Sequence, residues 1–110
     1  MQTSEIKFKE QLDKERMPEK IYWSATEKLN EGIEETKSTS IAVWDHHQKN
    51  TLRIDLWTKD MPIEEMKKFY IDTIGGLAQS ILNATGDEYM AQATHALCDR
   101  LVAHVKKGNA

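Results

Sequence analysis

The sequence contains little of what several classes of protein depend on. Its 110 residues include one cysteine and two prolines, and 7% of them are aromatic. The lone cysteine, Cys98, cannot form an internal disulfide, which suits a reducing compartment or is neutral about the compartment. A chain of this length builds one modest core, and we therefore expect a single domain over residues 1–110.

The sequence also lacks an excess of positive charge and long apolar runs. It has 15 lysines and arginines against 18 aspartates and glutamates, and the resulting net charge of -3 argues against nucleic acid as the main partner. The apolar runs are far shorter than the roughly 20 residues that cross a bilayer, and no charged-then-apolar leader opens the chain. We therefore expect a soluble, cytoplasmic protein that is not inserted into a membrane.

The first part of the chain has the two-residue period of β-strands. Apolar and polar residues alternate over residues 4–12 and again over residues 21–25. The charged stretch between them contains Pro18, which suits a turn, so the two runs are expected to form a hairpin. Residues 27–37 are rich in glutamate and lysine and have no apolar period, which predicts a solvated loop.

A second hairpin follows from the alternation of residues 39–43 and 52–56. If Val43 lies opposite Leu52, then Ile41 faces Ile54, and the aliphatic side chains share one side of the hairpin. The other side then carries Ala42, Trp44, Arg53, Asp55 and Trp57.

After Asp60 the apolar period changes to steps of three and four residues, which is typical of a helix. Asp60 is expected to be its N-cap, and Glu64 and Glu65 lie in the first turn, where the helix dipole favours negative charge. The apolar stripe of this helix consists of Ile63, Met66, Tyr70, Ile74, Leu77 and Ile81. Gly75 and Gly76 lie inside this helix, either to permit a close approach or a bend, or simply because they are tolerated there.

A second helix is predicted from Asp87 to about Gly108. Its apolar stripe consists of Met90, Ala93, Leu97, Leu101 and Val105. Strands followed by helices define an α+β fold, and the simplest architecture that buries both stripes is a four-stranded antiparallel sheet with the two C-terminal helices packed on one face.

The residues that carry chemistry are few. His46 and His47 are adjacent, so their side chains point apart and do not suit one metal ion. His95 and Asp99 are spaced for a structural ion pair, while Cys98 is expected to be a buried thiol. Because no phosphate loop, CxxC pair, HExxH or nucleophile-elbow motif is present, we expect no enzyme, no catalytic residue, no metal and no cofactor. A small enzyme or metal-dependent protein stays open as an alternative that rests on the histidines and Cys98 alone.

The feature that exceeds this background is the side of the second hairpin that carries Trp44, Arg53, Asp55 and Trp57. Tryptophan and arginine are the residue types that most often anchor protein interfaces. These four residues are therefore predicted to form a contact surface for a protein partner. The alternative is that the tryptophans fold over the sheet edge or lie under the acidic loop.

Residues 50–61 carry a family resemblance. Their sequence is Asn-Thr-Leu-Arg-Ile-Asp-Leu-Trp-Thr-Lys-Asp-Met, followed by Glu-Met-Lys-Lys-Phe at residues 65–69. This run resembles the gliding motility protein GldC family. Further landmarks in the same order extend the resemblance over nearly the whole chain, and they lie at residues 4–8, 18–21, 43–45 and 84–86. The last twenty residues carry little of it.

The resemblance implies a small accessory protein of bacterial surface gliding that is not known to be an enzyme. The family brings no catalytic residues, so the matched Arg53, Asp55, Trp57 and Lys59 are candidates for a contact surface. The leading hypothesis is a module that assembles or stabilises a protein of the gliding machinery. A SecB-like chaperone or export factor is the alternative, since the order of four strands and two helices is similar. The tryptophan side, or an unpaired strand edge, would equally serve a homodimer.

Overall fold

The computed structural model describes residues 2–26 and 32–108, and the chain divides after Met61 into a strand unit and a helix unit. The α+β class and the C-terminal position of both helices are confirmed. The elements are β1 (Ile6–Leu12), β2 (Pro18–Ala25), β3 (Glu34–Thr36), β4 (Ser38–Asp45), β5 (Asn50–Trp57), α1 (Ile63–Thr85) and α2 (Glu88–Gly108).

The turns of the two hairpins, β1–β2 and β4–β5, each contain an aspartate whose carboxylate accepts hydrogen bonds from the backbone of the turn. Asp13 Oδ1 accepts two backbone N–H bonds at 2.8 and 3.0 Å, and Asp45 Oδ1 accepts two at 2.9 and 3.1 Å. Each turn also contains a residue with positive φ, Arg16 at 64° and Lys49 at 58°. The aspartates satisfy N–H groups that such tight turns leave without a ladder partner.

The strands form two antiparallel sheets, β1–β2–β3 and β4–β5, so the prediction of one four-stranded sheet was wrong. The extended stretch that contains β3 and β4 changes partner at Lys37. Thr36 still pairs with β2, whereas Ser38 pairs with β5. Because no residue of this stretch pairs with both neighbours, the ladder is not continuous from β2 to β5.

The predicted loop over residues 27–37 is also corrected. Glu34 and Glu35 belong to β3 and lie opposite Trp23 and Tyr22, while residues 27–31 lie outside the described part of the chain. A three-residue strand is too short to show a two-residue period, and a sheet edge tolerates charged side chains because it faces water. The sequence pattern of β3 is therefore that of a loop.

The register predicted for the second hairpin is confirmed. Val43 lies opposite Leu52 and Ile41 opposite Ile54, so the aliphatic side chains share one side. That side is not a buried core, however, since Val43, Leu52 and Ile54 are each 55% exposed. In the described part of the strand unit, the buried residues are Ile21, Ser38, Thr39 and Thr58.

The first helix begins later than predicted. Pro62, with φ -61° and ψ 141°, is the N-cap, and its carbonyl accepts the first helical bond from Met66 N–H at 3.0 Å. Asp60 is not the cap, because Met61, the residue before Pro62, is held in an extended conformation. The helix therefore cannot include Met61 and begins after Pro62. The Asp60 carboxylate instead accepts bonds from Lys37 Nζ at 2.6 Å and Thr58 Oγ1 at 2.7 Å.

The two helices pack against each other through small residues. Cys98 Sγ donates to the Ile71 carbonyl at 3.6 Å and lies close to Gly75, and the buried residues of the pair are Ala78, Ala91 and Cys98. The burial predicted for Cys98 is confirmed. Small side chains fill this contact because they allow two helix backbones to approach closely.

The apolar stripes predicted for the helices are not the surface through which the helices meet. Ile63 and Leu77 on α1, and Met90 and Leu97 on α2, are all exposed by two fifths or more. The stripes lie about a quarter turn from the contact, and the helical period places both on the same side of the pair. Whether this side packs on a sheet stays a prediction.

Glycine substitutions in α1 test this description. A Cβ at Gly76 would meet nothing within 4 Å, so Gly76→Ala should stabilise the protein by about 1 kcal/mol, the helix-propensity difference between the two residues. Gly86, which ends α1 at φ 71°, is the matched control, because Gly86→Ala places a side chain in a left-handed conformation and should destabilise. Thermal unfolding should move in opposite directions for the two variants. A fall in stability for Gly76→Ala would contradict the open surroundings of that position.

Candidate interaction surface

The side of the β4–β5 hairpin opposite the aliphatic side chains presents a row of four cross-strand pairs. The pairs are Trp44 with Thr51, Ala42 with Arg53, Ser40 with Asp55, and Ser38 with Trp57. We call these eight residues the tryptophan face. The register thus places Trp44, Arg53, Asp55 and Trp57 on one side, as the alternation predicted, with a tryptophan at each end and charged residues between them.

The centre of the tryptophan face is a closed set of hydrogen bonds. Arg53 Nη2 donates to Ser40 Oγ and to Asp55 Oδ1, each at 2.9 Å, and Ser40 Oγ donates to the same carboxylate oxygen at 2.6 Å. The bond from Ser40, and then that from Arg53, hold the pKa of Asp55 below its ordinary value. Asp55 is therefore ionised at neutral pH and orients the Arg53 guanidinium on the surface.

Both tryptophans are accessible to solvent. Trp44 is 58% exposed and Trp57 42% exposed, although each carries a large apolar ring. This exposure favours a contact surface over packing of the tryptophans at the sheet edge.

A cavity of about 170 Å³ adjoins one end of the tryptophan face. Its walls are Met17, Pro18, Asp55, Leu56 and Trp57, which come from the β1–β2 turn, the start of β2 and the end of β5. Sites for drug-sized ligands usually measure about 300 to 1,000 Å³. A cavity this small instead suits a single side chain of a partner.

Lys59 lies apart from the other four predicted residues. It follows the end of β5, and its ammonium forms an ion pair with the Asp13 carboxylate at the β1–β2 turn. This hydrogen bond raises the pKa of Lys59 and is the main reason that the pKa of Asp13 lies below its ordinary value. Lys59 therefore ties the segment after β5 to the first hairpin.

Ser40, Met17 and Pro18 are parts of this surface that the sequence analysis did not single out. Ser40 carries a usable signal, because the predicted register already places it opposite Asp55 on the tryptophan side. Met17 and Pro18 carry none. They lie near the end of β5 because of the way the first hairpin is placed in the strand unit. Local periodicity does not encode this long-range arrangement.

The histidines and the cysteine do not form a site within residues 2–26 and 32–108. No group of three histidine, cysteine or acidic side chains there is arranged to hold a metal ion. His46 Nδ1 lies 3.3 Å from Lys49 Nζ within the β4–β5 turn, and the hydrogen bonds and ion pairs of the described residues do not join His95 to Asp99. Neither helix, over its described length, is long and apolar enough to cross a membrane.

The fold and this surface define a small α+β protein whose most distinctive feature is an exposed face of tryptophan and arginine. Residues 18–107 match the model of the family described as gliding motility-associated protein GldC-like, so the chain belongs to that family. The resemblance seen at residues 50–61 is thereby confirmed. The matched range includes the tryptophan face and nearly all of α2, and it begins after β1. No curated protein and no solved structure matches the chain.

The ion pair of Lys59 with Asp13 predicts a change in titration. A lowered carboxyl pKa stabilises the fold at pH values above the ordinary carboxyl range, and this contribution is lost as the pH falls through the lowered value. A raised lysine pKa acts at the alkaline end of the pH range, where its contribution to stability is lost only as the pH rises through the raised value. Lys59→Met removes the hydrogen bond and the charge that lower the pKa of Asp13. The pKa of Asp13 should therefore return toward its ordinary value, as measured by NMR titration of the Asp13 side chain.

The matched control for this titration is Lys14→Met, which removes one positive charge from the same turn. Lys14 is not among the causes of the shift at Asp13, so the pKa of Asp13 should stay low in that variant. Part of the shift should also survive in Lys59→Met, because the N–H groups of Met17 and Glu15 still bind the carboxylate. An unchanged Asp13 pKa in Lys59→Met would contradict the ion pair.

Proposed function

We propose that this chain is a non-enzymatic accessory protein of the gliding machinery that assembles or stabilises a protein component by binding it through the tryptophan face. Family membership supports the process of gliding motility. The observation that carries the binding proposal is the exposure of Trp44 and Trp57 at the two ends of a face whose centre presents an oriented arginine.

The dimensions of the tryptophan face suit a protein partner. From Ser38 to Trp44 the row spans roughly 20 Å, at the rise of about 3.3 Å per residue of a strand. Interfaces of standard size bury about 800 Å² on each partner and draw most of their energy from a few central residues, often tryptophan and arginine. The bonds from Arg53 to Ser40 and Asp55 reduce the conformational entropy that Arg53 would lose on binding.

The cavity beside Trp57 adds a point of specificity. Its walls are mostly apolar, from Met17, Pro18, Leu56 and Trp57, and Asp55 is the charged group among them. Energetically important residues of an interface commonly insert into a pocket on the other protein. One side chain of the partner would occupy this cavity while the remainder of the interface extends along β4 and β5.

A SecB-like chaperone or export factor is the second candidate. The observation that favours it is the exposed aliphatic side of the same hairpin, since proteins that hold unfolded chains present apolar surface. The similarity in strand order that suggested this role is weaker in the structure, where five strands form two sheets. A chaperone should suppress the aggregation of several unrelated unfolded proteins, whereas an assembly factor should not.

The test is a tagged purification from the native cells that compares the wild type with Trp57→Glu. Placing a charge at Trp57, which ends the tryptophan face and lines the cavity, should reduce recovery of a gliding or envelope protein by about tenfold or more, the effect of a residue worth about 2 kcal/mol. Mass spectrometry identifies and quantifies the recovered proteins. Circular dichroism and thermal unfolding check that Trp57→Glu folds like the wild type.

The matched control is Leu52→Glu, which places the same charge on the opposite side of the same hairpin. Leu52 is as exposed as the tryptophans, so the two variants differ mainly in the side that they alter. Recovery of the partner should survive in Leu52→Glu. Loss with Leu52→Glu but not with Trp57→Glu would move the binding site to the aliphatic side, and equal recovery by all three proteins would contradict a binding site on this hairpin.

A further inference from the structure

β1 is an edge strand with a defined set of open backbone groups. Among the residues that the structure describes, it pairs with β2 alone, and all seven of its residues are exposed. The bond from Thr26 N–H to the Glu5 carbonyl, at 3.0 Å, shows which residues point toward β2. Because this orientation alternates along an antiparallel pair, the N–H and C=O groups of Ile6, Phe8 and Glu10 point to the open edge.

The side chains of β1 divide between the two sides of the sheet. Lys7 and Lys9 lie on one side, and Ile6 and Phe8 lie on the other. A cavity of about 180 Å³ adjoins the lysines, and its lining residues are Lys7, Lys9, Tyr22, Trp23, Ser24 and Ile33. The edge therefore offers positive charge on one side and apolar surface on the other.

A second copy of the chain does not suit this edge. Three antiparallel registers would pair five or more residues of two β1 strands while matching their open backbone groups. They place Lys7 opposite Lys9, Lys9 opposite its own counterpart, or Glu10 opposite its own counterpart. Like charges directly opposite each other destabilise a strand pair, so each of these three registers is opposed.

We infer that the open edge of β1 binds an extended segment of another protein in which acidic residues lie opposite Lys7 and Lys9 and apolar residues lie opposite Ile6 and Phe8. Strand addition of this kind takes affinity from backbone hydrogen bonds and specificity from alternate side chains. Lys7 already contacts Glu5 at 3.2 Å, but both side chains are well exposed, and such a pair is weak and easily displaced.

This inference is independent of the proposed function. β1 belongs to the sheet that does not contain the tryptophan face, and it lies outside the residues that match the family. A failed test at β1 would leave the tryptophan face unaffected, and the reverse also holds.

The test uses the full chain and two labelled seven-residue peptides, one that alternates valine with glutamate and one that alternates valine with lysine. Fluorescence anisotropy should show the glutamate peptide binding at least about tenfold more tightly, because cross-strand attraction is exchanged for repulsion at two positions. Amide hydrogen exchange by NMR should show new protection at Ile6, Phe8 and Glu10 in the presence of the glutamate peptide.

Three variants locate the binding. Lys7→Glu combined with Lys9→Glu should reverse the preference between the peptides, while Lys14→Glu combined with Lys67→Glu, which makes the same change in net charge elsewhere, should not. Phe8→Pro removes one N–H from the open edge without removing a bond to β2, so it should abolish binding while circular dichroism stays unchanged. Absence of binding by both peptides, a preference that survives the reversal at Lys7 and Lys9, or binding without protection at Phe8 would overturn the inference.

Discussion

A backbone N–H or C=O group of a strand points to one side of that strand and bonds to the one neighbouring strand there. This constraint organises the strand unit. The stretch from Glu34 to Asp45 pairs with β2 over its first three residues and with β5 over the remainder. The change of partner at Lys37 separates the two sheets. It also sets which strand edges and which sheet faces of the strand unit are exposed to solvent.

Polar side chains hold the chain at this change of partner. Thr58 N–H donates to the Lys37 carbonyl at 2.9 Å, and Asp60 binds both Lys37 Nζ and Thr58 Oγ1. Thr58 is almost fully buried, so its hydroxyl needs the partner that Asp60 provides. The bond from Lys37 is the main reason that the pKa of Asp60 lies below its ordinary value, and Asp60 therefore stays ionised in this cluster.

The two proposed binding surfaces have different chemistry. The tryptophan face combines aromatic rings with an arginine held by Ser40 and Asp55, which suits a folded protein surface with a few strong contacts. The edge of β1 offers unpaired backbone groups with lysines beside them, which suits an extended segment. The family assignment names the process in which these surfaces would act, and their chemistry narrows the kinds of partner that each accepts.

Local sequence patterns were sufficient to set the directions of side chains within each element. With Val43 set opposite Leu52, strict alternation predicted the common side of Trp44, Arg53, Asp55 and Trp57. Period and composition likewise predicted both helices and the burial of Cys98. Local periodicity is sufficient here because the position of a residue along a strand or helix sets the direction of its side chain.

Which elements meet is set by long-range pairing in the folded chain. β3 has no alternation to reveal it, and the partner change at Lys37 depends on residues far apart in the chain. The helices meet through Gly75, Ala78 and Cys98 because close backbone approach favours small residues over the larger apolar stripe. Lys59 lies apart from the tryptophan face because its partner, Asp13, is on another hairpin. Such pairings depend on long-range geometry and on competition between partners, and a short window of sequence encodes neither.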